Sequence, residues 1–467
     1  MRSIRHWVGI AGLLCLAPIA PATAQEAGTA QTGSGTAKSG AEAPTREEIE
    51  ALRREIEQLR AQVELLKQRL ATQPSSATAP AETAATAPLL PPPSPPPGAP
   101  ARSQGLLNPA ISAVFQASGM ASLQRRNESD GFDLSEAEIA LQSVVDPYSK
   151  VDLFLTFPAG GTPEVEEGFV STLALPGSLQ LKGGRFKSAF GKWNTLHNHA
   201  FFTVDRPDAL VNFLGDESLT NDGLSLSVLV PNPRDLYIDS ITEVGTSRPG
   251  PAFNEDHRNL SWLEHLSIFL NPSANSSFEV GVTASVGRTG ATELVRTEID
   301  AAVTAGLLAP GAVTPDDQLA SRVYGIDLTY KWKPLQQNVY RSFTWQTEFL
   351  SSRRDTQTLA SLAPPTLATD RITSYGGYSY IEWQTAKRWR IGGRYDLSEL
   401  PDDDGARIRA ASGVVRFQPS EFQELRFEIK TTRRNDVAAL RFGGDERDTQ
   451  VFFEWIPVIG AHGAHKY

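Results

Sequence analysis

The sequence predicts an all-β protein: an antiparallel transmembrane β-barrel of about sixteen strands, preceded by an α-helical coiled coil. Three observations predict it. Apolar and polar residues alternate with a period of two from about residue 109 onward, and short and long connections alternate between the resulting strands. No apolar run after the N-terminus reaches the roughly 18 residues that a membrane-spanning helix needs. A membrane form of this chain would therefore cross the bilayer with strands.

The alternation places sixteen strand centres along the chain. Even-numbered strands end in tight connections, most of which contain Pro, Gly or Asn, whereas odd-numbered strands are mostly followed by longer polar loops. This is the pattern of barrels with short periplasmic turns and long extracellular loops. The predicted centres lie near Phe115, Ala140, Leu153, Phe169, Leu181, Leu226, Ile238, Ser267, Val282, Ile326, Trp345, Tyr380, Gly392, Gly413, Phe427 and Phe453.

The direction of each strand face follows from the segment ELRFEIK (424–430), in which charged and apolar residues alternate. Turning its four charges toward lipid would cost on the order of 10 kcal/mol, so they are predicted to face the lumen. Because a dry core would have to pair every such charge, we expect a water-filled interior. The same argument directs a second set inward: Arg388, Arg390, Arg394, Asp396, Asp327, Thr329 and Lys331.

The first 24 residues have the pattern of a secretory signal peptide. Arg2 and Arg5 precede a short apolar run, and a small-x-small cleavage site ends just before Gln25. The only cysteine, Cys15, lies inside this segment, so the mature chain has no thiol. Loss of the two arginines moves the formal charge from −10 to −12, which argues against nucleic acid as a partner.

Three segments are predicted between the signal peptide and the barrel. Residues 25–44 form a disordered linker, 45–72 a coiled coil and 73–104 a Pro/Ala-rich spacer, and the barrel domain occupies 105–467. The coiled coil is predicted because apolar residues recur at spacings of three and four along the segment. The alternative is a lone amphipathic helix. The heptads by themselves favour a parallel dimer, which a trimeric barrel would override. The spaced residues are Ile49, Leu52, Ile56, Leu59, Val63, Leu66 and Leu70.

Part of the barrel domain resembles a known family. The runs FDLSEAEIALQS, EVEEGFVSTLALPGSLQLKGGRFKSAFGKWN and HNHAFFTVDRPDALVNFLGDESLTNDG, within residues 130–230, are similar to Gram-negative outer-membrane porin-like proteins related to the phosphate-selective porins. Some members are known as zinc-regulated or TonB-dependent outer-membrane proteins. The resemblance implies a barrel, often trimeric and sixteen-stranded, that passes solutes passively. The sequence shows no dense lysine and arginine ladder and no segment large enough for a plug domain.

The loop after the fifth strand is the candidate constriction. In general porins this third long loop folds into the lumen, and here residues 187–221 carry charges of both signs. The alternative is a loop that lies on the surface. Together with inward strand positions it forms the predicted pore lining: Lys182, Arg185, Lys187, Lys192, Asp205, Arg206, Arg390, Arg394, Arg426, Glu428, Lys430, Glu136 and Glu138. Arginines on strands thirteen and fifteen would favour anions weakly.

Metal binding and catalysis have little support in the sequence. His197 with His199, and His462 with His465, are spaced as zinc ligands can be, but no convergent carboxylate or cysteine is evident, so no metal and no cofactor is predicted. The chain lacks the G-x-S-x-G, H-E-x-x-H and phosphate-loop motifs. We therefore expect a protein that is not an enzyme.

Two functions are compatible with these patterns. The favoured one is an outer-membrane porin for small hydrophilic solutes or ions, with the coiled coil in the periplasm. The alternative is a structural tether, in which the coiled coil and spacer reach toward peptidoglycan and the barrel serves as an anchor. The expected partners are outer-membrane lipid and lipopolysaccharide, the barrel-assembly machinery and further copies of the chain, with a trimer favoured.

Overall fold

The protein is described by a computed structural model for residues 109–123, 130–234, 236–254, 257–337 and 340–460. These residues form a closed antiparallel barrel of sixteen strands, in which each strand pairs with its sequence neighbours and the first pairs with the last. Closure is made by the register that sets Ser118 opposite Glu454. A closed sheet leaves no unpaired edge.

Several predictions concern other parts of the chain. The signal peptide, both linkers and the coiled coil (residues 1–104) lie outside the described residues, as do His462 and His465. These stay predictions.

All sixteen predicted strand centres lie inside observed strands. The strands are β1 Ala110–Ser122, β2 Gly131–Asp146, β3 Ser149–Pro158, β4 Glu164–Thr172, β5 Leu179–Lys187, β6 Thr220–Leu229, β7 Tyr237–Ser247, β8 Ser261–Ser273, β9 Ser276–Thr289, β10 Leu319–Trp332, β11 Ser342–Leu362, β12 Pro365–Ala386, β13 Trp389–Leu400, β14 Asp403–Ser420, β15 Gln423–Arg434 and β16 Arg447–Gly460.

Helices occur only in the connections within the described part of the chain. They are α1 Asp208–Leu214, α2 Glu293–Thr304 and α3 Asp436–Arg441, with short 3-10 turns at Pro176–Ser178 and Asn198–Ala200. None of the helices described is both long and apolar enough to cross a bilayer.

The predicted alternation of connections is correct in outline and wrong at two places. Turns after even-numbered strands form one end of the barrel, the short-turn end, and connections such as 188–219 and 290–318 form the long-loop end. β11 and β12, however, run for 21 and 22 residues and join through a two-residue connection. β13 and β14 likewise join through Pro401 and Asp402. The predicted loops there are extensions of paired strands, because the period-two pattern continues through them.

The face assignment for ELRFEIK is confirmed. Glu424, Arg426, Glu428 and Lys430 are buried inside the barrel at 1–9% exposure, whereas Phe427 and Ile429 on the outer face are half exposed. One assignment is wrong: Arg388 lies exposed in the turn between β12 and β13, not in the lumen.

The outer face carries apolar residues between two groups of aromatic side chains. Near the short-turn end, Trp383 contacts Trp332 and Phe343 with ring centroids 6.2 and 5.9 Å apart. Toward the long-loop end, Phe349 and Tyr375 stack at 6.1 Å. Tyr375 and Trp383 lie on the same strand, separated by about 26 Å of extended chain. That spacing suits an apolar band of about 25 Å bounded by aromatic girdles.

Candidate functional site

Loop 3, residues 188–219, folds into the barrel and packs against its inner wall. Phe190, Trp193, Leu210 and Phe213 of this loop are completely buried. They belong to one apolar cluster together with inward-facing residues of β8, β10, β11, β12 and β14. A loop on the outer surface would leave these side chains in water, so packing stabilises the inward position. Inward-facing members of the cluster are Leu263, Val323, Leu350, Tyr378, Tyr380 and Val414.

Two glycines allow this close packing. Gly191 has φ = 58°, and a Cβ there would lie 2.2 Å from the Glu348 carboxylate. Because of this approach, the Glu348 carboxylate accepts hydrogen bonds from the backbone N–H groups of Lys192 and Trp193 at 3.1 and 2.9 Å. On β10, a Cβ at Gly325 would lie 2.8 Å from the Phe190 ring. Glycine on the wall thus makes room for an aromatic side chain of the loop.

The far end of loop 3 is held by buried ion pairs. Asp205 binds Arg394 of β13 at 2.8 Å and Lys430 of β15 at 2.5 Å. Asp208, the first residue of α1, binds Lys430 at 2.5 Å. Burial opposes ionisation of Asp205, but the Arg394 and Lys430 charges prevail and hold the pKa of that carboxyl well below its usual range. The loop therefore stays charged and attached at neutral pH.

Charges on the inner faces of β12–β16, which we call the paired wall, are matched to one another. Arg416 binds Glu382 at 2.8 Å and Glu424 at 2.7 Å. Arg426 binds Glu424 at 2.6 Å and Glu454 at 2.9 Å. The expected water-filled interior is therefore wrong for this wall: its charges pair with each other and with loop 3.

The inner faces of β2–β9, the cavity wall, border a cavity of about 630 Å³ that continues to the short-turn end. Loop 3 borders it on the other side through Ala189, Lys192 and Leu196. Ionisable groups of both signs line the cavity: Lys150, Asp152, Glu167, Lys182, Lys187, Lys192, His197, Asp239, Glu243, His265 and Glu279. This side of the lumen has room for water and small solutes.

A second cluster of charges joins loop 3 to β2 and β4. The Nδ1 atom of His197 lies 3.0 Å from carboxylate oxygens of both Glu138 and Glu166, and its Nε2 atom lies 3.0 Å from Glu167. His199 stacks on His197, with ring centroids 5.7 Å apart. Burial and Lys187 oppose a charged imidazole, but the carboxylates prevail and raise the pKa of His197 well above its ordinary value.

The predicted pore-lining residues separate into three groups. Lys182, Lys187 and Lys192 border the cavity. Arg394, Arg426, Glu428 and Lys430 lie on the paired wall, and Arg390 is the more exposed member of that wall, with its side chain 24% accessible. The remaining group consists of loop-anchoring residues: Glu136 accepts from Asn198 at 2.8 Å, Glu138 faces His197, and Arg206 donates to Asn194 and Gly215 within loop 3.

Arg185 is not in the lumen. It lies on the outer face of β5 and makes a bidentate pair with Asp222 of β6, at 2.7 and 2.8 Å. The register of β5 with β6 is regular through this point, with Lys182 opposite Ser225 and Arg185 opposite Asp222. Lys182 and Arg185 are three residues apart, so the period of two that directs Lys182 inward directs Arg185 outward. The prediction of Arg185 as a pore-lining residue did not follow that alternation and is wrong.

Sequence reasoning missed three important carboxylates. Glu243, Glu279 and Glu348 all face inward and contact loop 3: Glu243 accepts from the Ala189 N–H at 3.1 Å, and Glu279 pairs with Lys192. Their strands have the same alternation as ELRFEIK, so the signal for an inward position was present. Nothing in the sequence indicated that these three side chains contact loop 3.

Comparisons with known proteins do not assign the chain to a family. No protein-family model matches it. It is 29% identical over 385 residues to an uncharacterized protein of Aquifex aeolicus, covering 76% of this chain and 74% of that one. It also matches OprB of Pseudomonas putida, with a TM-score of 0.49, 9% identity and 75% and 94% of the two chains covered. An anion-selective porin from Comamonas acidovorans matches with a TM-score of 0.48, 10% identity and coverage of 75% and 100%. The barrel assignment rests on the chain's own strand pairing.

Proposed function

We propose that this protein is an outer-membrane channel that passes small hydrophilic solutes or ions passively, along the cavity wall and past loop 3. The observation that carries the proposal is the contrast between the two faces of the sheet. The outer face presents an apolar band with aromatic residues at both ends, whereas the inner face of β2–β9 borders a cavity lined by charges of both signs. An apolar exterior suits lipid, and a charged, open interior suits water.

The orientation follows from the connections. In outer-membrane barrels the short turns face the periplasm and the long loops face outward. The cavity would then be the periplasmic vestibule of the channel, with loop 3 as the constriction above it. Because loop 3 is attached by packing and ion pairs, the route is narrow, and solute size would be restricted strongly.

The outer surface of β5–β8 supports an oligomer. Glu264 lies there between Trp262 and Leu266 and accepts hydrogen bonds from Ser240 and Thr242 at 2.8 and 2.6 Å. Arg185 and Asp222 lie on the same side. Charged groups facing lipid near the bilayer centre cost up to about 2–4 kcal/mol each, so this face is better suited to a further copy of the chain. A trimer remains our proposal, with lipid and lipopolysaccharide around the rest of the belt and insertion by the barrel-assembly machinery.

The alternative function, a structural tether, has no observation of its own in its favour, since loop 3 packed on the inner wall also suits a channel constriction. A plugged barrel would anchor the N-terminal segment without conducting.

Planar-bilayer recording of the purified protein distinguishes the two functions. A channel gives discrete conductance steps, which we expect to persist after deletion of residues 45–72 because all sixteen strands lie outside that segment. Absence of conductance in protein that resists SDS until boiled would contradict the channel. Loss of envelope attachment on the same deletion would support the tether.

A further inference from the structure

The cluster that joins loop 3 to β2 and β4 has the composition and spacing of a metal site. Ligand atoms of Glu138, Glu166 and His197 all lie within 4.8 Å of one another. The Nδ1 atom of His197 is 3.0 Å from one oxygen of each carboxylate. Ligands that share a tetrahedral ion at about 2.1 Å are themselves about 3.4 Å apart. The two 3.0 Å pairs would therefore open by about 0.4 Å, and any pair near the 4.8 Å limit would close, to admit an ion.

The charge balance of the cluster favours a cation. Four carboxylates meet there, from Glu136, Glu138, Glu166 and Glu167, against the single ammonium of Lys187, which binds Glu166 at 2.6 Å. Negative charge exceeds positive charge even when one imidazole is protonated. Uncompensated charge in a buried site is costly, and a divalent ion would offset it.

One carboxylate oxygen points independently to a ligand. Glu138 is only 2% exposed, and its Oε1 atom has no hydrogen-bond partner among the described residues. A buried carboxylate oxygen without a partner loses its hydration without compensation. A bound cation would supply the missing partner.

We propose that Glu138, Glu166 and His197 bind a divalent transition-metal ion of the Zn²⁺ type. An imidazole together with carboxylates is a mixed nitrogen and oxygen set that suits zinc, whereas Mg²⁺ and Ca²⁺ prefer oxygen alone. His199, whose Nδ1 atom lies 3.4 Å from the same Glu138 oxygen, is the neighbouring candidate for a further ligand. His197 and Glu167 border the cavity, which provides an entry path.

The site would connect two strands to loop 3. Glu138 is on β2, Glu166 is on β4 and His197 is on the loop. A bound ion would therefore attach the loop to the cavity wall, in addition to its attachment to the paired wall through Asp205. The inference concerns binding and does not depend on whether the barrel conducts.

Calorimetric titration of Zn²⁺ into the purified full chain tests the proposal. Every protein titrated carries H462Q/H465Q, which removes the C-terminal histidine pair, and this double variant is the background for the comparisons below. We expect one saturable ion per chain, with affinity lowered about tenfold or more by H197Q and, separately, by E138Q. H257Q, at an exposed histidine of another loop, is the matched control and should bind like the background. An equal concentration of Mg²⁺ should not displace Zn²⁺.

Co²⁺ provides a readout that does not require a cluster variant to fold. Added to the same background, it should give the intense visible absorption of a four- or five-coordinate ion, and Zn²⁺ should abolish it. Absence of both saturable Zn²⁺ binding and this spectrum would overturn the proposal. So would full retention of Zn²⁺ affinity in folded H197Q or E138Q.

Discussion

The paired wall and the cavity wall belong to one sheet, have the same alternation of charged and apolar residues, and differ in what their charges contact. On β12–β16, Arg416 and Arg426 both bind Glu424, and Arg394 and Lys430 hold loop 3. On β2–β9 the inward charges border a cavity of about 630 Å³. Inward charges on β12–β16 are therefore buried in ion pairs, whereas inward charges on β2–β9 border a cavity even where, like Glu279, they also bind loop 3. Sign and strand position alone do not distinguish the two roles.

The largest effect is expected from Arg394→Gln. The side chain is completely buried and binds both Asp205 and Asp396 at 2.8 Å. Breaking a buried ion pair by removing one partner costs about 3–5 kcal/mol, here in the attachment of loop 3. We expect larger single-channel conductance and faster proteolysis of the loop in micelles.

Arg390→Gln is the matched control, since it makes the same substitution on the same strand at a partly exposed side chain. It should leave conductance and proteolysis close to those of the wild type. Equal effects of the two substitutions would contradict a special role of Arg394 in holding loop 3. A change of ion selectivity without a change of conductance in Arg394→Gln would show that Arg394 lines the route instead.

Packing gives the next largest effect. A Cβ at Gly325 would meet the Phe190 ring at 2.8 Å, and overpacking of this kind costs about 1–3 kcal/mol. Gly325→Ala should therefore loosen loop 3 and increase current noise. Gly413→Ala, on β14, places its Cβ where nothing lies within 4 Å and should behave as the wild type does. Indistinguishable noise in the two variants would contradict the packing of Phe190 against β10.

Acid should release the paired-wall attachment. The pKa of Asp205 is lowered in the folded protein, so its ion pairs contribute stability that is complete above the unfolded value of about 3.9 and is lost as the pH falls through the folded value. Titration of Asp205 should therefore leave the conductance unchanged between about pH 5 and 8. At a pH low enough to protonate Asp205, the conductance should rise. Asp205→Asn should have the higher conductance at every pH; an acid step that persists in this variant would assign it to another group.

Selectivity should respond least, and only on the cavity wall. Lys182 borders the cavity and lies over the Phe169 ring at 4.6 Å. Lys182→Gln should move the reversal potential in a salt gradient slightly toward cations, because screening over roughly 8–10 Å limits the influence of one charge. Lys387→Gln, in the exposed turn between β12 and β13, is the control. Equal shifts in both would mean that general surface charge sets the potential.

The strands were predictable and the loop contacts were not, for physical reasons. Alternation is local, so ELRFEIK specifies its own inward face wherever the strand is placed. Pairing between Arg394 and Asp205 joins residues far apart in the chain, and nothing in either neighbourhood specifies the other. The apolar content of loop 3 was an available signal: Phe201, Leu210 and Phe213 would be costly on a surface loop. The carboxylates that meet His197 come from β2 and β4, which is why the sequence showed no convergent metal ligands.

The most direct test of the central claim uses the scarcity of cysteine: the sequence has one, Cys15, within the predicted signal peptide. A single cysteine is introduced either on the cavity wall, by Ser227→Cys, or on the paired wall, by Thr432→Cys. A charged thiol reagent is then added during single-channel recording. Ser227 borders the cavity, whereas Thr432 is buried at 4% exposure. If solutes pass along the cavity wall, the reagent will reduce the current through Ser227→Cys and leave Thr432→Cys unchanged. Reduction of the current only in Thr432→Cys would contradict the account.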